Sequence, residues 1–474
     1  MRRSVRFLVF AALCAVAGVV INNGAMAAQQ PAAAEPINKS ADPLLGAFTF
    51  RSIGPAVMGG RVNDVEGDPN DPMTLYVAYA TSGLWKTENG GITWTSLFDE
   101  MPFTSIGDVG IAPSDGNIVY VGMGEANNRQ SSSIGNGIYK TTDDGKTWTH
   151  LGLENTQSIS RVVVHPKNPN VVFVAAMGHL YAGNEERGLY KTTDGGKTWK
   201  KSKYIDAFTG FADVAIDPVN PNVVYATSYQ RLRTWWGYNG GGPGSGLWKS
   251  TNGGDTWTRL TGNGLPEPAD KIWGRSGIGI HAANPNILYA VIENQNPKPG
   301  AEQREVSALN PLASGIIGNQ LYRTDDGGVT WRVVSGDVNV AGGKAPYSFN
   351  QLRINPHDDK TVLVTSDAMY VTRDGGTTWD SDFFRSVFGD FRTLWWDPQD
   401  EKRVMLGSDG GVNVSYDGGV TSDYFLNMRV GEVYAIGVDM DDPYNVYGRP
   451  AGSRLVEGAV EFEDRQHHAR TVDD

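Results

Sequence analysis

Thr141-Thr142-Asp143-Asp144-Gly145-Lys146-Thr147-Trp148 is one copy of an eight-residue pattern, Ser/Thr-x-Asp-x-Gly-x-Thr-Trp, whose recurrence decides the fold. The pattern returns from Thr87 to Trp94, Thr192 to Trp199, Ser250 to Trp257, Thr324 to Trp331 and Thr372 to Trp379. A degraded copy spans Ser415 to Ser422, with serine in place of the tryptophan. Successive copies start roughly 43 to 74 residues apart, in or above the range of propeller blades, with the excess in variable loops. Repeats of this size cannot each bury a hydrophobic face alone, so they must stack on one another.

Outward from each copy, the same parts recur. An alternating strand comes first, as in Ile106 to Ile111 or Phe211 to Ile216. An Asp/His-Pro turn follows (Asp68 to Pro72, His165 to Pro169, Asp217 to Pro221, more loosely Asp397-Pro398), then an apolar strand such as Val171 to Ala175. A third strand of the form Gly-Leu/Ile-Trp/Tyr-Lys-Thr/Ser, for example Gly83 to Thr87, runs into the pattern, and the tryptophan opens a fourth. Four antiparallel strands per unit, joined by turns and repeated, predict an all-β chain: a β-propeller of four-stranded antiparallel blades. Counting first strands gives seven complete blades and the start of an eighth at Glu432 to Val438.

The predicted organisation is a signal peptide over 1–27, a flexible leader over 28–45, the propeller over 46–448, incomplete at its C-terminus, and an aberrant, frameshifted and disordered tail over 449–474. Arg2, Arg3 and Arg6 precede an apolar run too short to span a bilayer, and Ala25-Met26-Ala27 offers a small-x-small cleavage site, so export to the periplasm or exterior is expected. Cys14 lies in that run and is the only cysteine, which excludes a disulfide, a thiolate nucleophile or a zinc–thiolate site in the mature chain. The formal charge of −12 becomes more negative once three arginines leave with the signal. Such an acidic chain repels phosphate backbones, so nucleic acid is not expected as a partner. No cofactor and no metal cluster is expected, and no transmembrane segment remains after signal removal; the oligomeric state is left open.

The eight-residue pattern itself reads as a structural staple. The carboxylate accepts backbone N–H bonds in a tight turn, the glycines supply positive φ, the hydroxyl bonds locally, and the tryptophan plugs the gap between sheets. Its polar set is Asn89, Asp143, Asp194, Asn252, Asp326, Asp374 and Asp417; its tryptophans are Trp94, Trp148, Trp199, Trp257, Trp331 and Trp379. Asparagine at 89 and 252 suits a cap and not a catalytic acid.

The repeats resemble the BNR/Asp-box repeats of sialidases, of two-propeller xyloglucanase-type glycoside hydrolases and of the Vps10 domain of sortilins. The chain is more specifically similar to secreted bacterial proteins labelled BNR-repeat glycosyl hydrolase or sortilin N-terminal domain-containing. Arg51-Ser52-Ile53-Gly54-Pro55, Gly59-Gly60-Arg61-Val62, Gly178-His179-Leu180, Asn184 to Gly188, Trp236 to Gly246 and Ser408 to Val412 carry that likeness. The resemblance implies a propeller and leaves activity open. Where xyloglucanase-type enzymes place a catalytic Asp before the third strand of blade one, this chain has Ala80-Thr81-Ser82-Gly83. The sialidase arginine set and the sortilin cysteine-rich module find no match.

Loops between second and third strands must lie on the face opposite the eight-residue turns. Four consecutive ones are long: 123–136, 176–188, 228–246 and 292–320. Long loops on a rigid scaffold are where function concentrates. Expected ligand-binding residues are Asn127, Asn128, Arg129, His179, Arg187, Tyr229, Arg231, Arg233, Trp235, Trp236 and Tyr238, whose rings, amides and guanidinium groups suit a glycan or a polypeptide. The bland alternative is that these groups lock the loops to one another. Glycoside hydrolysis needs two carboxyl groups about 5 Å apart for retention or about 6.5–9.5 Å for inversion. Glu125, Glu185, Glu186 and Asp409 are the candidates by position. The expected function is therefore glycan or polypeptide binding, with a glycoside hydrolase, and then an assembly or sorting factor for envelope proteins, as alternatives.

Overall fold

The computed structural model describes residues 59–266, 273–298, 315–336, 349–384, 386–440, 446–450, 460–462 and 469–471. The signal peptide, the leader and most of the tail after Arg449 lie outside them. Second strands such as Val119–Met123 and Val172–Ala176 are buried along their whole length. Each sits mid-sheet with neighbouring sheets packed on both faces, which is why an unbroken apolar run is stable there.

Seven four-stranded antiparallel blades follow in chain order, and each takes its strands consecutively. Blade one is Val62–Asp68, Asp71–Tyr79, Leu84–Thr87 and Thr95–Ser96; blade seven is Phe391–Trp396, Val404–Ser408, Gly411–Ser415 and Asp423–Tyr424. Blade four gains a short fifth strand, Tyr238–Gly240, paired with the far end of Val224–Arg233. An eighth sheet pairs Val433–Val438, Val446–Pro450, Val460–Phe462 and Ala469–Thr471.

The ring closes without that sheet. Val62, Val65 and Val77 of blade one share one apolar cluster with Trp395, Met405 and Val414 of blade seven. Thr393 donates its hydroxyl to Asp64 (3.0 Å), Asn427 donates to the carbonyl of Gly91 (2.8 Å), and Trp94 meets Phe425 edge-on at 5.4 Å. Gly67 has no side chain because a Cβ there would lie 2.3 Å from the Trp395 ring. The approach is that close.

First strands carry a bulge at a corresponding place, seen as register shifts at Val62/Asp64, Ile106/Asp108, Phe211/Asp213 and Phe391/Thr393. A bulge leaves one residue unpaired and re-aims its side chain. The aspartate after it reaches the next blade: Asp64 accepts from the Val109 amide (3.0 Å), Asp108 from Val162 (2.7 Å) and Asp213 from Ile278 (3.1 Å). Arg161 of blade three sits among two of these carboxylates and Glu66, 3.0 Å from Asp108 and 3.8 Å from both Glu66 and Asp213.

In the eight-residue turns, Thr141 donates its hydroxyl to Asp143 (2.7 Å) and accepts from the Gly145 amide (3.0 Å). Asp143 in turn accepts from the Thr147 amide (2.9 Å) and hydroxyl (2.6 Å). The same bonds recur at Asp194, Asp326, Asp374 and Asp417, and Asn89 and Asn252 substitute their amide groups. A glycine or Asp144 at the turn donates its amide to the turn between strands one and two, as in Gly195 to the Asn170 carbonyl at 2.9 Å. Two successive positive φ angles make this possible, 76° and 92° at Gly195 and Gly196, and aspartate tolerates the first of them at Asp144 (63°). Trp148, Trp199, Trp257 and Trp331 each pack into a cluster built from two adjacent blades.

Candidate ligand-binding face

Antiparallel pairing puts the loops between strands two and three at the opposite end of each blade from the eight-residue turns. Near the axis on that side, arginines from blades one and seven converge on the blade-two loop. Arg61 donates to both oxygens of Glu125 (3.1 and 2.9 Å) and lies 3.4 Å from Glu432. Arg392, held at the bulge of its strand, lies 3.6 Å from Glu125, donates to Asp409 at 2.5 Å and covers the Phe349 ring. Arg129 lies 3.5 Å from Asp409 and 4.0 Å from Asp390. Glu125 is fully buried, so two guanidinium groups compensate a carboxylate that has lost its water. Burial and the nearby Asp409 raise the Glu432 carboxyl above its ordinary range.

Farther out, the loops of blades two, three and four knit together around buried arginines. Arg231 donates to the Ala126 carbonyl (2.7 Å), the Asn128 side chain (2.5 Å) and the Gly178 carbonyl (3.2 Å). Arg233 donates to the Asn128 carbonyl. Arg187 donates to the carbonyls of Phe208 (3.1 Å), Ala182 (3.0 Å) and His179. Asn128 also donates to the hydroxyls of Tyr229 (3.1 Å) and Tyr238, which contact each other. Asn127 accepts from Arg275 of blade five at 3.0 Å. Burial lowers Arg187 to about 10, and burial with Arg187 nearby lowers Arg231 to about 9. Glu293, buried beside this network, is pushed up to about 7 by burial.

Above this layer the surface is aromatic. The blade-four hairpin turns at Thr234, whose amide donates to the Gly237 carbonyl (2.9 Å), and its tip carries Trp235 and Trp236, 88 % and 86 % exposed. Tyr181 of blade three stacks on Trp235 at 5.2 Å and 24°, and its hydroxyl donates to the Gln130 carbonyl (3.1 Å). His179 is fixed by contact with the Asn155 carbonyl (3.0 Å).

The loop residues singled out in the sequence thus divide into two layers. Asn127, Asn128, Arg187, Tyr229, Arg231 and Arg233 lie inside and hold loops to one another, whereas Trp235 and Trp236 face solvent. Among the carboxylates, Glu125 and Asp409 come together through Arg392. Glu185 and Glu186 stay on the rim of blade three, where Asn184 donates to Glu186 at 3.2 Å. Residues 299–314 of the blade-five loop lie outside the described residues. Arg61, Arg392, Arg275, Phe349, Glu293 and Glu432 join the site only through the fold. Aligning first strands on their bulges sets Arg392 against Asn63, Gly107 and Ala212, the one long cation among smaller side chains. Among the described residues, no group of three or more His, Cys, Asp or Glu is placed to hold a metal, and no helix is long and apolar enough to cross a membrane.

The family model "Sortilin, neurotensin receptor 3" matches residues 136–308. A probable oligoxyloglucan-reducing end-specific xyloglucanase of Neosartorya fischeri is 24 % identical over 370 residues, covering 70 % of this chain and 41 % of its own. A xyloglucanase of Hypocrea jecorina is 26 % identical over 381 residues, covering 71 % and 40 %. These likenesses support a glycosyl-hydrolase-like β-propeller family. The chain spans about two fifths of the length of those curated relatives. Among solved structures, a GH74 xyloglucanase from Xanthomonas campestris superposes with TM-score 0.59 at 15 % identity, over 84 % of this chain and 59 % of that one. A GH74 enzyme from Niastella koreensis gives 0.58 at 17 %, over 85 % and 60 %. Both share the fold.

Proposed function

We propose that this is an exported propeller, with its signal at 1–27, that binds a glycan on the face built by the long loops of blades two to five. The observation that carries this reading is the pair of exposed indoles at Trp235 and Trp236, with Tyr181 stacked behind the first. Large aromatic faces left in water on a rigid hairpin are costly unless something covers them, and sugar rings present flat C–H faces that do so. The xyloglucanase names of the relatives agree with a polysaccharide ligand. Polysaccharide pull-downs with the purified protein test this. Retention on at least one plant or bacterial polysaccharide, lost in the Trp235→Ala/Trp236→Ala double variant, is expected; unchanged retention in that variant overturns the site.

A second reading, glycoside hydrolysis, is favoured by those same relatives and by two carboxyl groups near the axis, Asp409 and Glu432. In this reading Glu432, with its raised pKa, supplies the proton, and Asp409, tied to Arg392, is the second carboxyl group. Reducing-sugar release from the polysaccharide that binds, abolished by Asp409→Asn without loss of binding, would establish it.

A further inference from the structure

We propose that the glycan taken by the aromatic hairpin is acidic, a polysaccharide bearing uronate carboxylates. The inference rests on the glycan-binding reading above and adds the charge of the ligand. Its basis is the layer beneath the rings. Arg187, Arg231 and Arg233 are 0 %, 0 % and 7 % exposed. Their hydrogen bonds run to backbone carbonyls and to the Asn128 amide oxygen, and among the described residues no carboxylate forms an ion pair with any of them. Arg392 and Arg403, buried elsewhere in the chain, lie beside carboxylates.

The position of this unpaired charge ties it to the platform. Arg233 lies two residues before Trp235 on the hairpin strand, and its amide donates to the Leu180 carbonyl (2.9 Å), next to Tyr181. Of the nearby carboxylates, Glu185 lies on the exposed rim with Glu186, Asp206 accepts from Phe208 (2.7 Å) and Thr209 (3.0 Å), and Glu293, buried beside the network, is pushed by burial toward its neutral form. Fields from buried charges are weakly screened by water and reach the surface above them, whereas exposed rim charges are damped. The hairpin therefore presents a local positive potential on a chain of net charge −12. An acidic polypeptide would satisfy the charge but finds the outer edge of the hairpin taken: Gln295 donates to the Gly240 carbonyl (2.8 Å) and Gly242 bridges to Trp273. Among the described residues no free strand edge is left there for β-addition, while the flat rings remain open.

Calorimetric titration with polygalacturonate and alginate oligomers, with their carboxyl-reduced forms, with xyloglucan oligomers and with poly-glutamate separates the possibilities. At least one acidic oligomer is expected to bind tenfold or more tighter than its carboxyl-reduced form. That preference should shrink as salt rises from 50 to 300 mM, and binding should be lost in Trp235→Ala/Trp236→Ala. Arg233→Gln, checked for an intact fold by circular dichroism, should lower the preference; if it does not fold, the carboxyl-reduced comparison alone decides. Equal binding of acidic and carboxyl-reduced oligomers, or a preference for xyloglucan, overturns the charge inference and leaves glycan binding standing. Poly-glutamate binding as tightly as the acidic oligomers overturns it in favour of a peptide. Binding of none overturns both readings.

Discussion

Glu125 shows how one side chain can look catalytic in a sequence and act as a lock in the fold. It sits in a long loop on the functional side, yet Arg61 and Arg392 hold it and water does not reach it. Glu125→Gln leaves two buried cations short of their anion, and a loss of about 3–5 kcal/mol is expected; a urea melt reads it, and an unchanged midpoint would contradict the assignment. Thr141→Val removes the hydroxyl that both donates to Asp143 and accepts from Gly145. The stranded amide should cost about 1–3 kcal/mol, visible as a lower Tm. The turns were legible because their chemistry is local, closed within eight residues. Partners such as Arg61 and Glu125, 64 residues apart, depend on blade-to-blade geometry that no local pattern encodes.

Strands and hairpins were legible to the extent that burial is one-sided or complete, as in the alternating first strands and apolar second strands. The blade-four hairpin was not, because Gln230 to Asn239 mixes charged, aromatic and small residues as a loop would. Its strand character comes from pairing Arg231 with Gly240 and from arginines anchored below. The bulged first strands were also hidden, although they place Asp64, Asp108 and Asp213 as clasps on the next blade. Asp213→Ala should strand the Ile278 amide at about 1–3 kcal/mol and speed hydrogen exchange there more than at Val65. Equal acceleration at both sites would argue against a local clasp.

Across the molecule, two sets of carboxyl groups pull stability in opposite directions with pH. Glu293 titrates at about 7 in the fold against an ordinary 4.5, because it is buried. Between those values the folded protein holds a proton the unfolded chain has released, so stability rises as pH falls from 7 toward 4.5. Glu66, raised by burial and by Asp64, acts in the same sense. The exposed turn aspartates oppose this: hydrogen bonds from Thr147 and Thr198 lower Asp143 and Asp194 to about 2, so their contribution is lost as pH falls from 3.8 toward 2. A Tm maximum at about pH 4 follows. Glu293→Gln should flatten the slope between pH 7 and 4.5; an unaltered profile would remove Glu293 as its source. The seam where Trp395 meets Gly67 carries a last implication, for biosynthesis. Among the described residues no strand is exchanged across it, so a growing polypeptide displays the bare flank of Val65 and Val77 until residues near Met428 have been made. That sticky surface must wait through most of translation for its cover, and chains crowded together in that interval are exposed to aggregation.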